Sequence, residues 1–280
     1  MVVLIDTITD IADQFDAIVF DQWGVLHDGQ APYPSALQAL SRLKAYALKL
    51  GVLSNSGKRA ALNANRIKTK GFDITQFDTI MTSGEALWNK FATGQGHATC
   101  VFPIEGHPGD AANWSLGLKL TITEMIDQAD GILLMGLPDG TREEGYDTVL
   151  AAGLGRAMPL YCSNPDLTSP RGGAYVMSPG VLARRYAEMG GTVHLFGKPH
   201  PEIFAAMQGA LQCAPDRILM VGDSLHHDIQ GAQHAGWSTL LVRGGIHAPD
   251  IDETRIEDDI HRLAAAAQIE PPTFSLPDLR

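Results

Sequence analysis

Several acidic, hydroxyl and lysine side chains of this sequence lie at or shortly after the ends of short apolar runs. They are Asp21, Ser54, Lys198, Asp223 and, five residues after Asp223, Asp228. A carboxylate can attack phosphorus as a nucleophile, and carboxylate oxygens are the ligands that Mg²⁺ prefers. These residue types therefore indicate phosphoryl transfer through an enzyme carboxylate. In that chemistry Asp21 attacks phosphorus, while a cation and Lys198 offset the repulsion between carboxylate and phosphate.

Such chemistry requires a scaffold that brings distant parts of the chain together. The apolar runs span four to six residues without alternation, as is typical of parallel strands covered on both faces. Helical patterns lie between them, so the sequence predicts a doubly wound α/β sheet. Ligands of such sheets bind beyond the carboxyl ends of the strands, where we expect the residues above to meet. The runs are 17–20, 50–54, 78–82, 192–196, 217–222 and 238–242.

A helix N-cap is the alternative interpretation for any single one of these polar residues, because Ser, Asn and Asp often occupy that position. Capping does not explain why so many of them coincide with strand ends. Residues 84–190 repeat the strand and helix alternation, which either extends the sheet or forms a separate α/β unit. The tail 269–280 contains several prolines, and we expect it to pack irregularly or to fray.

Composition excludes several classes of protein. The chain has 280 residues, which favours two compact units or one core with an insertion. Its formal net charge is −11 and it has no run rich in Lys or Arg, so nucleic acid is not an expected partner. Its apolar runs are far shorter than the roughly 20 residues of a membrane span. Three widely spaced cysteines predict reduced thiols and a cytoplasmic location.

Four segments resemble the motifs of the haloacid dehalogenase (HAD) superfamily. They are VFDQWGVLHDG at 19–29, VLSNSGK at 52–58, GKPHPEIF at 197–204 and MVGDSLHHDIQGAQHAG at 220–236. The insertion between the second and third motifs is similar to the C2-type cap of the class IIA, NagD-like phosphatases. The resemblance implies a Rossmann-like core formed by 1–83 and 191–280. It also implies an α/β cap domain, 84–190, that closes over the site.

The resemblance also implies a role for each motif residue. Asp21 is expected to be the nucleophile and an Mg²⁺ ligand, and Ser54 is expected to bind the transferring phosphoryl group. Lys198 would orient the nucleophile and the phosphate. Asp223 and Asp228 would complete the Mg²⁺ site.

Further expectations concern the substrate and the assembly. Asn55 is expected beside the phosphate, and Asn164 and Asp166 are expected to bind substrate from the cap. For Asp166, an Asx turn is the alternative interpretation. The substrate would be a small phosphorylated metabolite, and a homodimer through the cap is a further expectation.

Trp23 departs from the pattern of the family. Phosphatases of the superfamily usually carry a second Asp at this position, whose carbonyl coordinates Mg²⁺ and whose side chain protonates the leaving alcohol. The carbonyl of Trp23 can still serve as a ligand, but indole cannot act as a general acid. General acid–base catalysis contributes ~10²–10⁴-fold to a rate, so the loss of this acid is a large one.

Four interpretations of this substitution stay open at the level of sequence. Asp28 or His27, in the same loop, replaces the missing acid. Alternatively, the leaving group has a low pKa and needs no acid. A third possibility is a dehalogenase-like reaction that uses no metal, since dehalogenases of the superfamily carry an aromatic residue here. The fourth is a catalytically impaired protein that binds phosphate and Mg²⁺.

Overall fold

The structure is a computed structural model that describes residues 1–171 and 174–279. Its internal contacts divide the chain into two compact units. The first comprises Met1–Ser54, Ala61–Met81 and Lys198–Arg280, and the second comprises Asn55–Ala60 and Thr82–Gly197. The domain boundaries expected from the sequence, 1–83 with 191–280 and 84–190, stay a prediction.

A seven-stranded sheet forms the centre of the first unit, in the order β1-β14-β13-β12-β2-β3-β4. The pairs from β1 through β3 in this order are parallel. The strands are β1 (Val3–Leu4), β2 (Ala17–Phe20), β3 (Lys49–Ser54), β4 (Thr79–Thr82), β12 (Ile218–Gly222), β13 (Ser238–Val242) and β14 (Phe274–Leu276). Every residue of β2 and β12 is buried, which explains why these runs show no alternation of apolar and polar residues.

Helices accompany this sheet along the chain. They are α1 (Pro34–Leu43), α2 (Ala60–Thr69), α7 (Pro201–Leu211), α8 (Gln230–His234) and α9 (Ile256–Ala266). One turn of π-helix, Leu225–Ile229, precedes α8. Short 3-10 helices lie at Ile8–Asp10, Ala12–Gln14, Ile74–Gln76, Pro215–Arg217 and Ala248–Asp250. The apolar face of α1, with Ala36 and Leu40, packs into the same core cluster as Ile18 of β2 and Leu219 of β12.

The second unit has a sheet of its own, in the order β11-β8-β7-β5-β6, and all its strand pairs are parallel. Its strands are β5 (Cys100–Ile104), β6 (Thr121–Ile122), β7 (Gly131–Leu134), β8 (Leu160–Cys162) and β11 (Val193–Leu195). An antiparallel hairpin consists of β9 (Thr168–Arg171) and β10 (Ala174–Met177). The helices are α3 (Ser83–Ala92), α4 (Asp110–Trp114), α5 (Asp147–Gly155) and α6 (Gly180–Glu188), with 3-10 turns at Ile126–Gln128 and Glu143–Tyr146.

Two expectations from the sequence are wrong. The run 192–196 was expected in the same sheet as Asp21, but its strand β11 pairs with β8 in the second sheet. A strand's composition indicates burial without indicating which of two parallel sheets it joins. The tail was expected to be irregular, but β14 pairs with both β13 and β1 and is buried. Its prolines lie outside the paired segment, so they remove no hydrogen bond from the sheet.

The doubly wound α/β architecture expected from the sequence is confirmed, and the insertion carries a second α/β sheet. Among the helices of the described ranges, none combines the length and the apolar composition that crossing a bilayer requires.

Candidate active site

Asp21 occupies the first position after β2, at the carboxyl end of the central parallel strands. Its backbone N–H donates to the carbonyl of Val221 in β12, with an N–O distance of 2.8 Å. This bond continues the pairing of β2 with β12 by one residue and fixes the backbone that carries the carboxylate. The buried apolar strand therefore sets the position of Asp21, as the sequence predicts.

Lys198 joins two carboxylates of the site. Its Nζ lies 2.5 Å from Oδ1 of Asp21 and 2.6 Å from Oδ1 of Asp228. The Lys198 side chain is only 4% exposed and that of Asp228 is fully buried, so neither charge is stabilised by bulk water. Charge-assisted hydrogen bonds of this kind hold both ends of the contact in place. Lys198 thereby orients the carboxylate of Asp21.

Asp223 follows β12 and Asp228 lies in the π-helical turn behind it. Oδ2 of Asp223 accepts a hydrogen bond from the backbone N–H of Ile246 at 3.0 Å, and Oδ2 of Asp228 accepts one from Ser224 at 3.1 Å. Glycines allow the chain to approach both carboxylates closely. A β-carbon at Gly222 would lie 2.2 Å from Cβ of Asp228, and one at Gly245 would lie 2.2 Å from Cβ of Asp223.

Crowding and burial change the ionisation of these acids. Burial raises the pKa of Asp21 to about 6; the Lys198 ammonium opposes the rise and the Asp228 carboxylate adds to it. Burial, followed by repulsion from Asp21 and Asp228, raises the pKa of Asp223 to about 8. Burial acts to lower the pKa of Lys198, but the two carboxylates outweigh it and hold that pKa above its ordinary value. Lys198 therefore stays a cation, but its single positive charge does not balance the negative charge of the carboxylates around it.

The three carboxylates fit a divalent cation. One oxygen each from Asp21, Asp223 and Asp228 can be chosen so that all lie within 4.8 Å of one another. Hard oxygen donors are the ligands of Mg²⁺ and Ca²⁺. A bound cation would also remove the repulsion that raises the pKa values of Asp21 and Asp223. The donor set and its excess negative charge thus agree with the metal site that the sequence predicts.

Ser54 and Trp23 also lie at this end of the sheet. The register of β2 with β3 pairs Phe20 with Val52, so Ser54 ends β3 one residue beyond the level of Asp21. Trp23 is 38% exposed, and its backbone forms a bridge with His27 within the loop that follows β2. The contact of Ser54 with phosphate and the carbonyl ligand from Trp23 stay predictions.

The two side chains considered as replacements for the missing acid are both engaged in local hydrogen bonds. Nδ1 of buried His27 accepts from the backbone N–H of Gly29 at 2.9 Å, and Nε2 lies 3.1 Å from the side-chain amide of Gln22. Burial, with the nearby cations Lys70 and Arg66, lowers the pKa of His27 to about 4. The ring is therefore neutral at physiological pH and stabilises the loop.

Asp28 stabilises a turn. Its Oδ1 accepts from the backbone N–H groups of Gln30, at 2.8 Å, and Ala31, at 2.7 Å. These bonds favour the carboxylate and hold the pKa of Asp28 below its ordinary value. The turn interpretation of the Asp-Gly pair thus fits the geometry, and a proton on Asp28 would weaken the turn.

The residues expected to contact substrate from the second unit lie together. Nδ2 of Asn55 donates to Oδ1 of Asp166 at 2.7 Å, and Oδ1 of Asn164 accepts from the backbone N–H of Asp166 at 3.1 Å. Asn164 therefore makes the Asx turn, and Asp166 presents its carboxylate to Asn55. Their contribution to substrate binding stays a prediction.

Gln22 and Asn63 were not identified from the sequence. Both side chains are buried, and Nδ2 of Asn63 donates to Oε1 of Gln22 at 2.9 Å. Together with His27 they form a buried polar network that joins the loop carrying Trp23 to α2. The one indication in the sequence is the amide of Gln22 directly after the nucleophile, in DQW. Its partner Asn63 lies 41 residues away, on α2, and no spacing connects the two.

Two family models of haloacid dehalogenase-like hydrolases match separate parts of the chain. A family model described as haloacid dehalogenase-like hydrolase matches residues 18–112, and one described as HAD-hydrolase-like matches 195–279. The chain is 29% identical over 229 residues to a dihydroxyacetone phosphatase of Corynebacterium glutamicum (strain R). That match covers 81% of this chain and 80% of the relative.

Solved structures agree over nearly the whole length. A haloacid dehalogenase-like hydrolase from Brucella suis 1330 has a TM-score of 0.81 and 28% identity, covering 99% of this chain and 100% of that one. NagD from E. coli K-12 has the same fold, with a TM-score of 0.71 and 24% identity, covering 94% of this chain and 96% of that one. Motifs, site geometry and the two family models, which together match more than half of the chain, agree, and the chain belongs to the haloacid dehalogenase-like hydrolases.

Proposed function

We propose that the protein is an Mg²⁺-dependent phosphatase that hydrolyses a small phosphorylated metabolite through an aspartyl-phosphate on Asp21. The observation that carries this proposal is the arrangement of Lys198 between Asp21 and Asp228, with Asp223 completing a cluster of three carboxylates. The likeness to a dihydroxyacetone phosphatase supports a phosphate ester of small size.

The reaction divides into two displacements at phosphorus. In the first, an oxygen of Asp21 bonds to phosphorus and the bond to the leaving oxygen breaks, with the electron pair going to that oxygen. In the second, water bonds to phosphorus and the Asp21 carboxylate regains its electron pair. Lys198 keeps the Asp21 carboxylate in one orientation through the 2.5 Å contact. Mg²⁺ held by the three carboxylates supplies positive charge that offsets their repulsion of the phosphate.

The remaining expected residues take binding roles in this proposal. Ser54 donates its hydroxyl to a phosphate oxygen. Asn55, Asn164 and Asp166 contact the substrate from the second unit, where their hydrogen bonds already fix one another. A homodimer through the cap also belongs to the proposal. So does a cytoplasmic location, which the free thiols of Cys100, Cys162 and Cys213 support.

Phosphate release tests the proposal. Wild type is assayed with Mg²⁺ against acyl, aryl and alkyl phosphates of small size, beside Asp21→Asn and the control Asp13→Asn, which changes an exposed acid. We expect release by wild type and the control and none by Asp21→Asn, since an amide is not a nucleophile of comparable strength. Release that persists in Asp21→Asn would contradict the covalent role of Asp21.

A further inference from the structure

The loop after β2 is the part of the chain in which a proton donor for the leaving group of the first displacement is expected. When the bond from phosphorus breaks, the departing oxygen takes an electron pair, and an alkoxide is too basic to leave readily without a proton. A general acid must lie within hydrogen-bonding reach of that oxygen, directly or through one water. The loop 21–33 begins with the nucleophile Asp21, and the structure describes all of its residues.

Trp23 cannot supply the proton. An indole N–H is a hydrogen-bond donor that does not titrate in a useful range. The ring lies beside Gly29, since its Nε1 is 3.1 Å from the place a β-carbon at Gly29 would occupy. The side chain two residues after the nucleophile therefore packs against the loop and carries no acid.

His27 is committed on both sides of its ring. Nδ1 accepts the backbone N–H of Gly29 at 2.9 Å. Nε2 lies against the Gln22 amide, which is in turn hydrogen-bonded to Asn63. All three of these side chains are buried. Both ring nitrogens of His27 are therefore occupied by neighbours within the loop, and neither is available to a substrate oxygen while these contacts persist.

Asp28 and Tyr33 are the other titratable side chains of the loop beyond Asp21. Oδ1 of Asp28 accepts two backbone N–H groups, which favours its ionised form and opposes protonation. Tyr33 packs against the hydrophobic core of the first unit. Lys198 already donates to Asp21 and Asp228, so its hydrogen bonds hold the nucleophile. Within the described loop, each candidate proton donor is thus engaged in building the site.

We propose that this enzyme acts on phosphates whose leaving group departs as a weakly basic anion, namely acyl, enol or aryl phosphates, and that alkyl phosphates are poor substrates. This inference rests on the proposed function, because it presupposes displacement by Asp21. It narrows the substrate from any small phosphorylated metabolite to one chemical class.

The electron balance of both steps closes without an enzyme acid. The bond from Asp21 to phosphorus forms while the bond to the leaving oxygen breaks, and the electron pair stays on a carboxylate, enolate or phenolate. Water then bonds to phosphorus, the Asp21 carboxylate leaves with its pair, and the proton lost by water goes to solvent. Because the described loop 21–33 offers neither an acid for the first step nor a base for the second, we expect the phosphoenzyme to accumulate with good leaving groups.

A leaving-group series tests the inference. Values of kcat/KM are measured with saturating Mg²⁺ for substituted phenyl phosphates, acetyl phosphate and dihydroxyacetone phosphate. We expect kcat/KM to fall steeply as the leaving group becomes more basic, with acetyl phosphate at least ~10²-fold above dihydroxyacetone phosphate. With nitrophenyl phosphate, one of the substituted phenyl phosphates, a rapid initial burst of nitrophenolate release would report the accumulated phosphoenzyme.

Two variants at one position separate acid chemistry from changes of shape. Trp23→Asp restores a carboxylate, and Trp23→Asn offers a side chain of the same size without one. We expect Trp23→Asp alone to raise kcat/KM for dihydroxyacetone phosphate, by about 10²-fold. In this variant kcat/KM should also depend less steeply on the basicity of the leaving group. Thermal unfolding of both variants shows whether loss of the indole disturbs the fold equally.

The outcomes distinguish the inference from the function beneath it. A shallow series with turnover that still depends on Asp21 would overturn the leaving-group inference and leave the phosphatase standing. An equal gain from Trp23→Asn and Trp23→Asp would also overturn it, because shape would then explain the gain. Turnover independent of Asp21, or none with any of these substrates, would overturn both.

Discussion

Gly24 lies against the carboxylate of Asp223 so closely that a β-carbon at position 24 would lie 2.1 Å from Oδ2 of Asp223. The backbone of Gly24 also has a φ of +84°, which favours glycine over any residue with a side chain. The loop that carries Trp23 can therefore approach Asp223, a carboxylate of the proposed metal site, only because glycine follows the tryptophan.

Gly24→Ala should weaken Mg²⁺ binding because the new methyl group would displace the Asp223 carboxylate. Isothermal titration calorimetry should show at least a tenfold rise in the Mg²⁺ Kd, about 1.4 kcal/mol. Gly94→Ala is the matched control, since Gly94 has a φ of +73° and nothing within 4 Å of its β-carbon position. Both variants should lose about 1–3 kcal/mol of stability to backbone strain. Equal Mg²⁺ affinity in the two variants would disprove the steric argument.

Lys198→Met should destabilise the protein more when Mg²⁺ is removed than when it is present. The substitution leaves the buried Asp228 carboxylate without its cation, and removing one partner of a buried pair costs about 3–5 kcal/mol. A bound cation replaces part of the lost charge and stabilises the folded state by mass action. Urea unfolding in chelator and in excess Mg²⁺ measures both values. Lys68→Met, an exposed lysine of α2, is the control and should change neither value appreciably.

The free energy of unfolding of the metal-free protein should depend on pH through the ionisation of Asp223. The pKa of this carboxyl is raised to about 8 when folded, so between its unfolded value of ~3.9 and about 8 the folded state binds more protons. The contribution of Asp223 to the free energy of unfolding therefore falls as pH rises through that window. The pKa of neighbouring Asp21 is also raised, so Asp21 titrates in the same measurement and the comparison is with Asp223→Asn.

In chelator, the free energy of unfolding of wild type should decline between pH 5 and pH 8 relative to that of Asp223→Asn. Excess Mg²⁺ should reduce this difference, because the cation favours the ionised carboxylate. Urea unfolding across that pH range provides the measurement. Parallel curves for the two proteins in chelator would show that Asp223 ionises normally in the folded state.

The sequence predicts which carboxylates come together at the strand ends better than it predicts the assignment of strands to sheets. Asp21 and Asp223 were found because β2 and β12 are buried on both faces and their polar residues begin where burial ends. The same pattern placed 192–196 in the wrong sheet, since burial of a strand is independent of its pairing partner. The short β14 was missed because a three-residue strand between prolines has almost no periodic signal.

The hydrogen bonds within the loop after β2 could not be predicted from the sequence. His27 and Asp28 are both residue types that serve as general acids, and spacing alone leaves them equivalent. Their roles became distinct only with the contacts of His27 to Gln22 and Gly29 and those of Asp28 to its own turn. Such contacts depend on loop conformation, which residue types determine only weakly.

Mapping of the phosphoenzyme tests the central claim most directly. Mg²⁺-loaded wild type and Asp21→Asn are each quenched with acid during turnover of acetyl phosphate, digested, and compared by peptide mass. We predict one added phosphoryl group on the wild-type peptide that contains Asp21 and none on the corresponding peptide of Asp21→Asn. A phosphoryl group on a different residue, or turnover by wild type with no phosphorylated peptide while Asp21→Asn remains active, would contradict the assignment of Asp21 as the nucleophile.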